Sequence, residues 1–199
     1  IEAFVDDFVA AAKRALRAGY KVLEIHGAHG YLLHSFLSPL SNQRKDDYGG
    51  SLENWMRLAS DVAMRVRAVW PNDLPLFFRI SSVDGSSDGW SIQDSVTLAV
   101  RLKAIGVDVI NCSSGGISGS ATAAAVVRRQ SGFQVPYAAQ VRAETGMKTM
   151  TVGLITHPLQ AEEILNDRSA DLIAIGREAL ANPNWPLHGG QVLSVPSSF

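Results

Sequence analysis

The chain has 199 residues, of which 46% are hydrophobic and 19% are charged, and its formal net charge at pH 7 is −1. A chain of this length can form one domain with a sizeable core. The nearly balanced charge offers no basic footprint for nucleic acid and no polybasic patch for a membrane surface. We therefore expect small molecules as partners.

Cysteine content and hydropathy limit the kinds of site and the cellular location that the sequence predicts. Cys112 is the single cysteine, which excludes an internal disulfide framework and any multi-cysteine zinc or iron–sulfur site within this chain. No apolar run approaches the ~18 residues of a membrane span, and the segment from Ile1 to Phe4 lacks the basic region of a signal peptide. A cytoplasmic location is the resulting expectation.

The chain opens within an amphipathic helix pattern, in which Phe4, Phe8 and Ala15 recur at helical spacing and Gly19 is placed to end the helix. Domains rarely begin so abruptly, so we expect further sequence upstream. Short apolar runs and helical patterns then alternate. The runs of strand length and composition are Tyr20–Ile25, Leu76–Ile80, Val107–Cys112, Met150–Leu154 and Leu172–Ile175. The helical segments are Leu52–Trp70, Ile92–Ile105, Pro136–Glu144 and Pro158–Leu165, the second preceded by Ser91 and Asp94 at capping-box spacing.

Strands that alternate with helices imply a parallel sheet, because a parallel neighbour is reached only through a long return connection. A barrel and a doubly wound sheet both satisfy this order. The Gly-x-Gly-x-x-Gly turn that would favour a dinucleotide-binding sheet does not follow the first strand. Polar and glycine clusters instead follow nearly every strand, which favours a (β/α)8 TIM barrel. About five strands are predicted against the eight that closure needs, so a single partial domain over residues 1–199 needs partner strands at its sheet edges.

The first predicted strand ends in His26-Gly27-Ala28-His29-Gly30-Tyr31, which places two imidazoles and a phenol at the mouth of the expected barrel. Three interpretations of the histidine pair stay open. A metal site would need a third ligand, and the nearby sequence offers none. The histidines could be structural residues satisfied by hydrogen bonds. They could also donate two N–H groups to one substrate oxygen, and this interpretation carries the greatest weight.

A series of motifs carries a family resemblance. The segment from Glu24 to Leu33, followed by Phe36–Pro39 and Ser41–Ser51, resembles the signature of the Old Yellow Enzyme family, and the two histidines are similar to its thermophilic-like branch. Four further motifs continue the resemblance in order: Phe78–Ser81, Asn111–Gly116, Val152–Ile155 and Ile175–Leu180. The resemblance spans the chain except for about its last dozen residues. It implies that the chain supplies roughly the last five βα units of a TIM barrel.

The sequence departs from the family pattern at three places. Trp55 stands where the family often has arginine, and the tail from Gly189 to Phe199 lacks the usual ending of this branch, which bears on its subunit contact. The first three strands of the family have no counterpart in this chain, and with them go residues that contact the flavin's pyrimidine edge.

The resemblance implies an FMN-dependent NAD(P)H oxidoreductase, an ene-reductase that reduces the C=C bond of α,β-unsaturated carbonyl compounds. It assigns His26 and His29 as hydrogen-bond donors to the carbonyl oxygen, and Tyr31 as the proton donor to the α carbon. Packing of Tyr31 as an ordinary aromatic is the alternative.

The same resemblance assigns four residues to the cofactor. Arg79 would face the anionic edge of reduced flavin, with a salt bridge to a neighbouring carboxylate as the alternative. Gly153, Gly176 and Arg177 would bind the FMN phosphate, because barrels commonly bind phosphate after their last strands, and Glu178–Ala181 is the short helix expected there. The segment from Ser113 to Gly116 either lines the flavin or forms a plain turn.

Two rival interpretations remain. A barrel isomerase or aldolase would use the region of Gly176 and Arg177 for a substrate phosphate. Alternatively, the chain is an inactive half barrel, either a truncated gene product or a subunit that another polypeptide completes. A homo-oligomer is a further expected partner.

Overall fold

The computed structural model describes residues 1–117 and 129–195, and within them five strands form one sheet in the order β1-β2-β3-β4-β5. The strands are β1 (Leu23–Gly27), β2 (Leu76–Ser81), β3 (Val109–Ser113), β4 (Lys148–Thr151) and β5 (Leu172–Ile173). The helices are α1 (Glu2–Arg17), α2 (Leu32–Leu37), α3 (Leu52–Trp55), α4 (Arg57–Arg67), α5 (Ile92–Ile105), α6 (Val135–Thr145), α7 (Pro158–Asn166), α8 (Arg177–Ala181) and α9 (Trp185–Val192).

Every neighbouring pair of strands is parallel, and consecutive strands are neighbours throughout. At least one helix connects each strand to the next. This is the arrangement of five successive βα units of a (β/α)8 barrel, and it confirms the predicted fold. The sheet does not close, so β1 and β5 are its two edges.

The register of the sheet separates a buried face from a site-bearing face. Register partners in a parallel sheet point to the same side, and one such row joins neighbouring strands through His26, Arg79, Asn111 and Met150. The adjacent row points the opposite way and supplies core residues that are at most 4% exposed: Ile25, Phe78 and Ile110. Helices cover that second face, which leaves the first face free to build the site.

Helix α5 has the bounds that the sequence predicts and ends as its sequence dictates. Ser91 Oγ accepts from the Asp94 N–H at 3.2 Å and Asp94 Oδ2 accepts from the Ser91 N–H at 2.9 Å, which completes the predicted capping box. Gly106, with φ +101°, ends the helix in the left-handed conformation.

Several predicted element boundaries are wrong. The first strand begins at Leu23, where pairing with Leu76 starts, because Tyr20 and Val22 are 64% and 46% exposed and lie outside the core cluster. The fourth strand is Lys148–Thr151, since Gly153 and Leu154 have φ of +126° and +52° and so leave the extended region.

The other differences shorten or divide predicted elements. The single helix predicted over 52–70 is two helices separated at Met56, where ψ of −13° flattens the turn, and the second helix ends at Arg67. The third strand is displaced to Val109–Ser113, and the edge strand β5 stops at Ile173. No helix among the described residues is long and apolar enough to cross a membrane.

Candidate functional site

The loop between β1 and α2 brings three predicted catalytic residues together. His26 lies on β1, and His29 and Gly30 have φ of +60° and +78°, so the chain turns back sharply before Tyr31 begins α2 as its N-cap. The His26 ring centroid is 5.2 Å from that of His29 and 5.4 Å from that of Tyr31. Tyr31 is 65% exposed, so it is not an ordinary packed aromatic.

Contacts with two neighbouring strands hold this loop in its conformation. A left-handed residue other than glycine costs about 1–3 kcal/mol and persists only where its surroundings determine it. The His29 N–H donates to Ser81 Oγ at 3.0 Å, and the Ser81 hydroxyl donates to the Gly115 carbonyl at 2.6 Å. A Cβ on Gly30 would lie 2.3 Å from the Gly116 carbonyl oxygen, so the two loops touch backbone to backbone and both positions need glycine.

A chain of hydrogen bonds fixes the proton of the His29 ring. Gln134 donates its amide N–H to the Val152 carbonyl at 2.9 Å, so its Oε1 is left to accept from the Ser113 hydroxyl at 3.2 Å. The Ser113 oxygen can then accept from His29 Nε2, which lies 2.7 Å away. Followed in this direction, the network places the proton of a neutral His29 on Nε2.

Both imidazoles titrate below the ordinary range. Burial, and then the charge of Arg79, lower the pKa of His29 to about 4, with smaller contributions from His26 and His34. Burial and Arg79 also lower the pKa of His26, against a weaker opposing effect of Glu24. Each ring is therefore neutral at pH 7 and has one N–H to donate.

Arg79 lies in the same register row as His26, on the face of the sheet that bears the site. Its Nε is buried without a hydrogen bond, and it forms no ion pair with any described residue. The carboxylate alternative is therefore not observed in this part of the chain, and the nearby Glu24 instead accepts from Asn111 at 2.8 Å. A partly buried cationic side chain whose Nε is buried without a hydrogen bond is costly, which makes Arg79 suited to an anionic ligand.

A cavity of about 610 Å³ lies at the carboxyl ends of the strands. Its volume falls within the range of small-molecule sites, roughly 300–1,000 Å³. Five predicted site residues line it, namely His29, Arg79, Gly153, Gly176 and Arg177, together with the segment from Ser113 to Gly116. His26 and Tyr31 are not among the lining residues, but their rings adjoin each other beside His29.

The two predicted phosphate glycines differ in what their small size provides. At Gly176, just before α8, a Cβ would meet nothing within 4 Å, so the backbone borders open space. At Gly153, φ is +126° and a Cβ would lie 2.9 Å from Phe133 Cε1, so packing alone already requires glycine there. Helix α8 begins at Arg177, one residue before the predicted Glu178, and Arg177 is exposed at the cavity wall.

Three supporting residues were missed by the sequence analysis: Ser81, Gln134 and His34. Ser81 is 52 positions from His29 and Gln134 is 21 positions from Ser113, so their roles depend on strand neighbours that the sequence pattern does not identify. His34 contacts Asp84 instead of the other two histidines. The described residues contain no group of three or more His, Cys, Asp or Glu that could hold a metal ion.

Comparisons with known proteins identify the family of the chain. Residues 1–191 match the NADH:flavin oxidoreductase / NADH oxidase family. An NADPH dehydrogenase from a Geobacillus species is 47% identical over 198 residues, which are 100% of this chain and 56% of that protein. The chain thus spans little more than half the length of this relative.

Solved structures extend the similarity to the fold. Morphinone reductase matches with a TM-score of 0.78 and 27% identity, over 100% of this chain and 50% of that one. An old yellow enzyme homologue from Zymomonas mobilis matches with a TM-score of 0.76 and 26% identity, over 99% of this chain and 53% of that one. The family and the names of these relatives bear out the predicted cofactors, FMN and NAD(P)H. The chain belongs to the NADH:flavin oxidoreductase / NADH oxidase family, and it resembles the old yellow enzymes within it.

Proposed function

We propose that this chain supplies the flavin site and the carbonyl site of an FMN-dependent, NAD(P)H-oxidising ene-reductase, which reduces the C=C bond of α,β-unsaturated carbonyl compounds. The observation that carries the proposal is the position of His26, His29 and Tyr31 beside a cavity whose wall holds Arg79, which forms no ion pair with any described residue. Two neutral imidazoles and a phenol offer hydrogen-bond donors and a proton without any metal ligand set.

The described residues fit FMN at two points of the cavity. Arg79 presents a buried Nε without a partner, which suits an anionic flavin edge. Gly176 borders open space and Arg177 adds a guanidinium beside it, which suits the phosphate group. Gly153 shapes the same wall through its contact with Phe133. FMN bound here would supply hydride transfer between the nicotinamide and the unsaturated substrate.

His26 and His29 act on the substrate oxygen. Each neutral ring donates one N–H, and the pair favours the state in which the carbonyl oxygen gains negative charge. His29 Nε2 contacts Ser113 Oγ at 2.7 Å, so donation from this atom to a substrate exchanges one acceptor for another. The cost of binding is then small, because no new buried donor has to be desolvated.

Tyr31 acts as the proton donor. Its ring lies next to His26, and its high exposure leaves the hydroxyl free of the core. A phenolic hydroxyl can deliver its proton to a substrate carbon as negative charge builds there.

The decisive test replaces both histidines by alanine in the full-length, flavin-loaded protein. We expect the NADPH-reduced double variant to be reoxidised by cyclohexenone on the order of 10²-fold more slowly, as on loss of oxyanion donors. Its flavin content should stay unchanged, because the proposed phosphate contacts follow other strands. Rapid-mixing absorbance measures both quantities. His188→Ala is the matched control, since His188 is exposed on α9 away from the cavity lining.

Other outcomes would each select a different interpretation. An unchanged reoxidation rate with bound flavin would remove these histidines from the mechanism. A misfolded, flavin-free double variant would make them structural, and rescue by zinc would favour a metal site. A colourless wild-type preparation would favour an isomerase or aldolase that uses the phosphate region for its substrate.

A further inference from the structure

A buried ionisable pair that the proposed reaction leaves unused adjoins the segment from His26 at the end of β1 to Tyr31, hereafter the histidine loop. His34 lies on α2 and Asp84 follows β2, and both side chains are fully buried, with His34 Nε2 2.9 Å from Asp84 Oδ1. We propose that His34 and Asp84 are positioning residues that hold the histidine loop in the conformation its chemistry requires. The catalytic part of this inference rests on the proposed function.

The contact with the loop is direct. His34 Nδ1 accepts the Gly30 N–H at 2.9 Å. Gly30 and His29 are both left-handed, so their N–H groups cannot join a regular helix or strand and need acceptors from elsewhere. Ser81 Oγ accepts from the His29 N–H, and His34 Nδ1 accepts from the Gly30 N–H. Both amides of the left-handed pair are therefore hydrogen-bonded.

The pair works only if His34 keeps one tautomer. A neutral imidazole has one N–H donor and one acceptor nitrogen. Nδ1 accepts from Gly30, so the proton belongs on Nε2, the atom that faces Asp84. An ionised carboxylate can only accept, and Asp84 therefore selects the tautomer that leaves Nδ1 free for the loop.

The surroundings of Asp84 keep it ionised. Burial by itself raises the pKa of this carboxyl, but the close contact with His34 and the hydrogen bonds from the Ser38 hydroxyl and the Trp90 N–H together lower the pKa below its usual value. The last two donate to Oδ2 at 2.5 Å and 2.7 Å, which leaves Oδ1 to face His34. No lysine or arginine among the described residues forms an ion pair with Asp84. Its other partners are the hydroxyl and N–H donors named above.

Substitutions at these two positions separate positioning from simple stability. In His34→Asn the amide oxygen can take the place of Nδ1 and still accept from Gly30, whereas His34→Leu offers no acceptor. Asp84→Asn presents an N–H₂ group to His34 and so favours the opposite tautomer, whose Nδ1–H would face the Gly30 N–H. Ser38→Ala is the matched control, because it removes only one of the two hydrogen bonds to Asp84 Oδ2 and leaves the Trp90 N–H bond, the His34 contact at Oδ1 and the loop in place.

The reaction arm uses the full-length, flavin-loaded protein, reduced by NADPH and mixed rapidly with cyclohexenone. We expect His34→Leu and Asp84→Asn to slow reoxidation by about tenfold or more at unchanged flavin content, since small misplacements of catalytic groups have large effects. His34→Asn should return to within about threefold of wild type, and Ser38→Ala should lose thermal stability but keep its rate. Equal rates in the leucine and asparagine variants, or equal slowing in Ser38→Ala, would overturn the proposal.

A second arm is independent of the reaction and therefore of the proposed function. Nitrogen-15 spectra of histidine-labelled protein should show His34 protonated at Nε2 alone in wild type and at Nδ1 in Asp84→Asn. The His29 ring signals should move in His34→Leu and not in Ser38→Ala. A protonated Nδ1 in wild type, or unmoved His29 signals in His34→Leu, would refute the positioning role even if the enzyme reduces enones. A wild type with the expected spectra but no enone reduction would instead refute the proposed function alone.

Discussion

Burial, and next the charge of one arginine, decide the protonation of the histidine pair. The pKa of His29 is lowered to about 4 chiefly by burial and next by Arg79, and the pKa of His26 is lowered by the same two causes. An unfolded histidine titrates near 6.5, so below that pH the unfolded chain takes up the proton first. Stability from this source is therefore present above pH 6.5 and declines as the pH falls toward 4.

Removing the charge of Arg79 tests this account. Arg79→Met should raise the pKa of both histidines, because it deletes a nearby positive charge, while burial still keeps them below 6.5. Proton and nitrogen-15 NMR titration of the flavin-free protein measures both values. Arg177→Met serves as control, since Arg177 does not contribute to either shift. Unmoved titrations in Arg79→Met would show that burial acts alone.

At the scale of elements, the loops after β4 and β5 place two glycines on one cavity wall for different reasons. Gly153 closes against the Phe133 ring, while Gly176 leaves open space before α8. The first is a packing requirement, which would exist without any ligand. Packing does not require glycine at position 176, but the absence of a side chain there would let a bound group approach the backbone.

Alanine at each position separates the two roles. Gly153→Ala should lower the free energy of unfolding of the flavin-free protein by about 1–3 kcal/mol, because its Cβ overlaps Phe133 and its φ is positive. Gly176→Ala should leave that stability within about 0.5 kcal/mol and instead reduce flavin retention. Urea unfolding and flavin absorbance after gel filtration measure the two effects. Full flavin retention in Gly176→Ala would argue that no ligand group approaches this backbone.

At the scale of the whole molecule, the sheet has five strands and two open edges, and its site-bearing face has no opposing strands among the described residues. Arg79 therefore faces a cavity that is open on one side, and His26 lies beside Arg79 on the same face of the sheet. Within the described residues, both strand edges and one side of the cavity are therefore uncovered.

We expect residues 1–199 expressed alone to bind FMN far more weakly than the full-length protein does. Each 1.4 kcal/mol of lost contact weakens binding about tenfold, and one face of the flavin would be bare. Fluorescence titration of FMN against both proteins gives the two dissociation constants, and Arg177→Ala in the full-length protein marks the loss caused by one phosphate contact alone. Stoichiometric flavin copurifying with the 199-residue chain would contradict this expectation.

Local sequence patterns determined much of the architecture. The alternation of apolar runs with helical segments predicted the parallel sheet, and α5 was predicted to the residue because Ser91, Asp94 and Gly106 act within one or two turns. Arginine within an apolar strand indicated that Arg79 points toward the site. The predicted strand boundaries were wrong where pairing with a neighbouring strand sets them. Tyr20 and Val22 are apolar yet exposed, because no strand lies opposite them.

The tertiary structure decided how the site is held. His34 and Asp84 are 50 positions apart and Ser81 is 52 positions from His29, so no local pattern links them. The sequence by itself determined which side chains lie at the carboxyl ends of the strands, since strand order and helix signals are local properties. Only the packed structure determined their hydrogen bonds, tautomers and pKa values, because these depend on burial and on neighbours brought together by the sheet.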